Sequence, residues 1–470
     1  MVPMILHGDS LSILRTLPDN SVQCIVTSPP YWALRKYDIP DIVFDGDPAC
    51  IHEWGDEGIR HKGGPQGVTS QRVGRANVDS QNEAHHTTTG AFCSCGAWRG
   101  QLGQEPTPDL FIRHMVEIFR EARRVLRSDG TCWLNMGDCY SSQAGPQVAQ
   151  TKWQIEGASD GQNLGRSRRP VDGLKPKDLV GIPWMLAFAL RADGWYLRAE
   201  IIWAKGMSFC PSYAGSVMPE SVTDRPTRSH EQIFLLTKSE RYFYDHEAVK
   251  EQGVYQAGTR AAKGSGTREG NRRGSPKQDG TGNRRTTGFN ERYFAPDDDG
   301  YATYDGKRNL RTVWAIGVEP FNEAHFATFP PDLVDPCLRA GTSQKGACVA
   351  CGAPWERIVE YEPMPEEIKQ QFEAARNRTA DDHGRDDGFT TRRPNYTRKR
   401  IGETWEPTCA CGESHVVPCV VMDPFAGSGT VGVVCERRQL DFIGIELGTT
   451  YKAMAERRID AVAPLFAAPA

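Results

Sequence analysis

Nowhere in its 470 residues does the sequence approach the ~18 consecutive apolar residues that a membrane-crossing helix requires. Met1 to Ser10 carries neither the basic stretch nor the apolar core of a secretory signal. Both absences predict a soluble, cytoplasmic protein with no membrane partner. No segment recurs at solenoid spacing, which speaks against a stacked-repeat fold. A charge excess of one sign is missing too: 56 Lys and Arg face 60 Asp and Glu, for a formal charge of −4. With 39% apolar and 25% charged residues, whole-chain disorder is excluded. The length, about three times the ~150-residue domain prior, allows one large catalytic domain with insertions. In a reducing compartment the 14 cysteines read as thiols or metal ligands rather than a disulfide framework.

The near-neutral total hides a local excess. Between Lys250 and Arg292 stand ten Lys and Arg (Lys250, Arg260, Lys263, Arg268, Arg272, Arg273, Lys277, Arg284, Arg285, Arg292) against Glu251, Glu269, Asp279 and Glu291, so this segment carries +6 and the rest −10. Gly, Ser, Thr and Asn fill most of what remains, leaving little apolar surface to bury. Such a run reads either as a solvated linker or as a contact for a polyanion.

Elsewhere strand and helix signals alternate. Seven short apolar runs predict strands: Met4 to Leu6, Val22 to Val26, Thr131 to Asn135, Tyr196 to Trp203, Gln232 to Thr237, Cys419 to Met422 and Phe442 to Ile445. Helices are predicted from Leu110 after Thr107-Pro108 up to Gly130, over Lys177 to Arg191, Gly429 to Arg438 and Tyr451 to Ala461. This alternation predicts an α/β fold with a largely parallel, helix-flanked sheet. Polar insertions at Ile51 to Thr89 and Glu360 to Glu403 interrupt it.

Asp423-Pro424-Phe425-Ala426-Gly427-Ser428-Gly429-Thr430 follows a predicted strand and opens a helix, an order that suits a nucleoside-binding turn. Glu446 ends the next strand, 446 − 423 = 23 residues later, where a carboxylate can accept from both ribose hydroxyls. The loop lacks the Lys of a phosphate-binding loop and the full Gly-x-Gly-x-x-Gly of dehydrogenases, so a nucleoside cofactor without pyrophosphate fits best. Thr27-Ser28-Pro29-Pro30-Tyr31-Trp32 stands at the carboxyl end of another strand, where open α/β sheets place ligands. Its prolines have no amide hydrogen, so the Ser28 and Pro29 carbonyls can face an exocyclic amine while the Tyr31 ring stacks on a planar base. A rigid aromatic-capped turn is the plain alternative.

Together the two motifs resemble the amino-group DNA methyltransferases of the permuted "beta" order, in which the Ser/Asp-Pro-Pro-Tyr turn precedes the S-adenosylmethionine (AdoMet) loop. Val26 to Tyr31, with Ser28 rather than Asp, is similar to the form typical of cytosine-N4 enzymes. The resemblance implies a seven-stranded, Rossmann-like, circularly permuted sheet whose first two strands close the chain and whose third is Met4 to Leu6. It implies AdoMet held by Asp9, Asp423, Pro424, Phe425, Gly427, Ser428, Gly429, Thr430 and Glu446, with His325 to Pro330 packed beside it. Ser28, Pro29, Pro30 and Tyr31 would carry methyl transfer to a cytosine N4 flipped out of double-stranded DNA. Adenine-N6 methylation, RNA or protein-amide methylation, and an inactive zinc-containing nucleic-acid-binding protein are the alternatives. No Cys nucleophile is required, so Pro336-Cys337 and Pro418-Cys419 read as structural. The expected organisation is residues 1–245 for the catalytic motif with an insertion at 50–95, 246–311 for target recognition, and 312–470 for AdoMet with a zinc-ribbon-like insertion at 348–411. A cognate restriction endonuclease is a further partner that the family implies, and the expected place of work is the nucleoid of a bacterial or phage-infected cell.

Cys348, Cys351, Cys409 and Cys411 form two short pairs, each followed by Gly, the usual way of assembling tetrahedral structural zinc. Cys50, His52, Cys93 and Cys95 read as a second quartet, in which His61, His85 or His86 could replace His52. The expectation is one or two structural zinc ions.

Overall fold

The computed structural model describes residues 4–33, 37–55, 91–141, 171, 173–206, 220, 222–252, 307–318, 329–370, 373 and 400–462. These residues fall into two compact units, one of 1–244, 311–354 and 409–470, the other of 245–310 and 355–408.

The first unit is built on a sheet of β1 (Met4–His7), β2 (Val22–Thr27), β3 (Leu126–Met136), β4 (Tyr196–Ala204), β5 (His230–Thr237), β6 (Val313–Ala315), β7 (Val420–Asp423) and β8 (Asp441–Glu446). Their spatial order is β1-β8-β7-β2-β3-β5-β4-β6. All seven expected strands are present, but the sheet has eight: Val313–Ala315 pairs in parallel with Ile202 to Ala204. Three residues with only Trp314 buried carry too short an apolar signal to be read as a strand. Only β5 runs antiparallel, pairing with β3 and β4. All six residues of β2 are buried, as expected of a parallel strand covered on both faces.

Helices α1 (Ser10–Thr16), α2 (Pro108–Val125), α3 (Ile182–Ala192), α4 (Pro331–Gly341), α5 (Thr430–Arg437) and α6 (Thr449–Asp460) accompany the sheet. In α2 the side chain of Thr107 accepts the Leu110 amide at 3.2 Å, a cap that contributes about 1 kcal/mol. Its buried stripe of Leu110, Phe111, Met115, Ile118, Phe119 and Ala122 joins the core, each large side chain contributing roughly 1.5–3 kcal/mol. The helix ends at Val125, one residue short of Leu126, the last position of its expected stripe, because Leu126 already pairs with Val22 in the sheet. The expected start of α3 at Lys177 is also corrected. Gly181 takes a φ of +86°, and Asp138 accepts the amides of Gly181 and Ile182 at 2.9 and 3.0 Å, so a distant carboxylate sets the first turn.

In the second unit Trp355–Tyr361 pairs antiparallel with Arg400–Pro407, and Glu251–Gln252 with Lys307–Arg308. Arg357 reaches Asp245 at 3.1 Å and Glu403 at 2.7 Å. Of the basic stretch from Lys250 to Arg292, residues 253–292 lie outside the described residues, as do residues 325–328 of His325 to Pro330 and residues 56–90, with His61, His85 and His86.

Candidate active site

Strand order brings the two singled-out turns together. β7 ends at Asp423 and its neighbour β2 at Thr27, and Thr27 Oγ1 donates to Asp423 Oδ1 at 2.6 Å across 396 residues of sequence. Both turns therefore open at the carboxyl edge of adjacent parallel strands.

The glycine loop is held from three sides. Gly427 and Gly429 have φ of +51° and +77°. A Cβ at Gly429 would stand 2.8 Å from Ala455 Cβ on α6, so strain and packing both demand glycine there. At Gly427 a Cβ would meet only Phe425 O, at 3.8 Å, leaving an open cradle beside the backbone. Glu446 accepts the Gly427 amide at 2.8 Å and the Gly448 amide at 2.7 Å. A carboxylate has about four lone-pair sites, so its capacity is not exhausted. Burial raises the Glu446 pKa above the usual range, while these amides oppose the shift. Ser10 Oγ donates to the Pro424 carbonyl at 2.6 Å. Asp9 caps α1, accepting the amides of Leu11 and Ser12 at 3.0 and 3.2 Å, and the adjacent Gly8 amide donates to the Glu446 carbonyl at 3.1 Å. Ser428 and Thr430 are less exposed to a ligand than expected: both are buried, and their hydroxyls accept from Arg458 at 2.8 and 3.3 Å.

Asp423 is also deeply buried, and burial pushes its carboxyl up to about 7 against the Thr27 and Phe425 hydrogen bonds, with Glu446 adding to the rise. A raised folded-state pKa means that its stabilising contribution is complete below the unfolded value of ~4 and is lost as pH rises through about 7. Asp423→Asn is therefore expected to stabilise the fold more at pH 8 than at pH 5. Urea midpoints of the two proteins at both pH values check this, and an equal difference would refute it.

At the other turn Pro29 is buried, while Ser28, Pro30 and Tyr31 are half-buried. Ser28 Oγ donates to Tyr31 Oη at 3.2 Å, and Asn135 Nδ2 donates to Tyr31 Oη at 2.7 Å and to Ser28 Oγ at 3.3 Å. Tyr31 Oη in turn donates to Glu231 Oε2 at 2.7 Å, and Lys205 Nζ binds Glu231 Oε1. Burial and the Glu231 charge raise the Tyr31 pKa well above its ordinary value, so the phenol keeps its proton. Burial works against the charge on Glu231, but Lys205, Tyr31 and Asn135 together hold its pKa below the usual range. Gly137 is needed here, since a Cβ would fall 2.4 Å from Tyr31 Cε2. Asn135 Oδ1 is buried without a hydrogen-bond partner among the described residues, and Asn135 lines a small pocket with Thr27, Trp133 and Phe329. Behind the turn, buried Trp32 donates to the Glu105 carbonyl at 3.0 Å.

Asn135, Lys205 and Glu231 were not among the sequence candidates. The antiparallel direction of β5 puts Glu231, near its start, beside the carboxyl ends of β3 and β4, from which Asn135 and Lys205 come. Sequence carried one available signal, the polar Asn135 at the end of an otherwise apolar strand. Cys337 and Cys419 are buried, and burial pushes the Cys419 thiol up to about 12 and Cys337 well above its ordinary value, in keeping with structural roles. The two metal-ligand quartets are each assembled, with ligand atoms within 4.8 Å of one another.

A family model described as DNA methylase matches residues 22–350 and 366–457. The chain is 32% identical over 457 residues to the Type II methyltransferase M.Cfr9I of Citrobacter freundii, covering 96% of this chain and 86% of that protein. It is equally 32% identical over 453 residues to the Type II methyltransferase M.XycI of Xanthomonas campestris pv. cyanopsidis, with the same coverage. Among solved structures, the cytosine-N4-specific PvuII DNA methyltransferase aligns over 98% of this chain and 90% of its own at 12% identity, with a TM-score of 0.42, too slight a likeness to carry an argument. Matched by that model across both turns and by curated relatives along nearly its whole length, the chain belongs to the DNA methylase family of N6- and N4-amino methyltransferases.

Proposed function

We propose that this DNA methyltransferase moves a methyl group from AdoMet to the exocyclic N4 of cytosine in duplex DNA. The observation that carries the reading is the Thr27–Asp423 hydrogen bond, which sets the Ser28 to Tyr31 turn beside the glycine loop. The open cradle at Gly427 and the spare acceptor capacity of Glu446 fit the nucleoside end of AdoMet, with Asp9, Asp423, Pro424, Phe425, Ser428, Gly429 and Thr430 shaping the surrounding loop. When bound, AdoMet supplies an electrophilic methyl group on a sulfonium. Ser28 and the Pro29 carbonyl accept from the target amine and localise its lone pair for in-line attack, and Pro30 keeps the turn rigid. Tyr31, fixed by Glu231 and Asn135, stacks on the flipped base and offsets part of the few kcal/mol that flipping costs. Ser28 in place of Asp favours cytosine, as in the N4 branch that the turn resembles.

The sheet supports a permuted chain order. β7 and β8 close the sequence yet lie between β1 and β2, which open it. Residues 246–311, with the basic stretch, are assigned to target recognition through phosphate neutralisation and guanine edges. The Type II names of M.Cfr9I and M.XycI support a cognate restriction endonuclease as partner. None of the helices among the described residues is long and apolar enough to cross a membrane, and a DNA substrate supports work at the nucleoid.

The test is incubation with unmethylated DNA and AdoMet, digestion to nucleosides and mass spectrometry. N4-methylcytosine is the expected product. N6-methyladenine would overturn the choice of base, and no methylated nucleoside with AdoMet still bound would overturn the reaction on DNA.

A further inference from the structure

Outside the methyl-transfer site, eight side chains gather into two clusters that the proposed reaction does not use. Cys50, His52, Cys93 and Cys95 form one, and Cys348, Cys351, Cys409 and Cys411 the other. In the first, Cys50 Sγ lies 3.8 Å from Cys93 Sγ, and Cys95 Sγ lies 3.4 Å from His52 Nδ1. A disulfide needs sulfurs about 2.05 Å apart, and all seven cysteines are free thiols. Tetrahedral zinc with Zn–S of about 2.3 Å and Zn–N of about 2.0–2.1 Å instead has S–S edges of about 3.8 Å and S–N edges of about 3.6 Å. The two separations in the first cluster are close to those edges, and in both clusters the ligand atoms lie within 4.8 Å of one another. The turns agree with this: the Gly96 amide donates to the Cys93 carbonyl at 2.9 Å and the Gly352 amide to the Cys348 carbonyl at 2.8 Å, so each cluster has a tight turn closed at its glycine, over three residues in the first and four in the second.

Position in the fold gives each cluster a purpose. The first stands where residues 56–90 leave and rejoin the described chain, with Trp54 bridged to Cys93 and the Gly55 amide on the Phe92 carbonyl at 3.0 Å. The small sheet of Ile42–Phe44, Ala91–Phe92 and Trp98–Gly100 continues from it. Past that sheet Gln101 Nε2 donates to the Tyr37 and Ile39 carbonyls at 3.0 and 2.7 Å, and the Ala33 amide donates to the Gly103 carbonyl at 2.8 Å. The chain that runs on from this cluster and its sheet therefore meets the segment that follows Tyr31. The second cluster brackets residues 355–408 in sequence. It is tied to the main sheet by Arg127, which binds the Cys351 carbonyl, and by Gln23 Nε2 on the Gly352 carbonyl at 2.9 Å.

We propose that each cluster binds one Zn²⁺ as a structural clasp at the foot of an insertion, the first by Cys50, His52, Cys93 and Cys95 and the second by Cys348, Cys351, Cys409 and Cys411. Thiolate and imidazole ligands in a tetrahedron select zinc over the oxygen-seeking divalent ions. Binding releases the thiol protons, and four protein ligands leave no open position for catalysis on the metal.

The test is metal analysis of the full chain, expressed with zinc and purified without chelator. About two zinc ions per chain are expected for the unaltered protein, and about one each for Cys95→Ser and Cys411→Ser. Cys411→His, which keeps a fourth ligand, is expected to restore about two, and this holds the test open if the serine variant fails to fold. Reconstitution with Co²⁺ should give the absorption of a tetrahedral thiolate site, weakened by each serine change. No zinc and no Co²⁺ spectrum in the folded protein overturns both clasps, and iron in place of zinc overturns the metal. A zinc content that one substitution leaves unchanged overturns that substitution's site.

Discussion

Tyr31→Ala should lower the rate of methyl transfer by about 100-fold or more while AdoMet affinity stays unchanged. Stacking of a base on an aromatic ring contributes ~1–3 kcal/mol, and about 1.4 kcal/mol is tenfold in rate. The substitution also removes the phenol that donates to Glu231 and accepts from Asn135, leaving a buried carboxylate and a buried amide short of a partner. Tyr31→Phe keeps the ring and loses only the hydroxyl network, so its loss should be smaller, on the order of tenfold. Glu231→Gln should fall between no effect and Tyr31→Ala, because an amide can still accept from Tyr31 but strands Lys205. Single-turnover rates with AdoMet titrations on the same samples separate the steps. A Tyr31→Ala enzyme with full rate would remove the ring from the reaction, and one that fails to bind AdoMet would make its role structural.

The second large effect is expected at the other end of the site. Glu446→Ala should weaken AdoMet binding by about 100-fold or more, since hydrogen bonds to a charged group contribute ~1.5–3 kcal/mol each. In the protein as it stands that carboxylate also holds the amides of Gly427 and Gly448, so the change takes away both a ligand contact and the support of the cradle. Glu446→Gln keeps an acceptor and should lose less. Calorimetric titration decides, and an unchanged Kd would place the cofactor elsewhere. The two sets of variants dissociate binding from transfer, as expected if Glu446 serves the cofactor and Tyr31 the base.

Much of this site could be read before any folding was considered. Local chemistry fixed the two turns: consecutive prolines at 29 and 30 allow few backbone conformations, and Gly427 and Gly429 indeed take positive φ. Seven strands were legible as short apolar runs, most plainly Val22–Thr27, where all six residues are buried. The helix from Pro108 was legible through its stripe and its Thr107 cap. The ligand quartets showed in their spacing. Helix ends were less legible, since the start of α3 depends on Asp138, a residue 44 positions before Ile182.

What the sequence determined by itself, then, was a set of local pieces: a glycine loop followed by an acid, a Pro-Pro turn with its aromatic, and two groups of Cys and His at metal-ligand spacing. Only the tertiary structure decided their meeting. Strand order, set by long-range pairing, placed Thr27 against Asp423. The antiparallel direction of β5 brought Glu231 to Tyr31, although 200 residues separate them and neither position signals the other. Burial and the Glu231 charge then kept Tyr31 protonated, while Lys205, Tyr31 and Asn135 kept Glu231 ionised against the cost of burial. Periodicity and spacing act over a few residues, whereas pairing and desolvation act between segments, so the second group of facts follows from the fold alone.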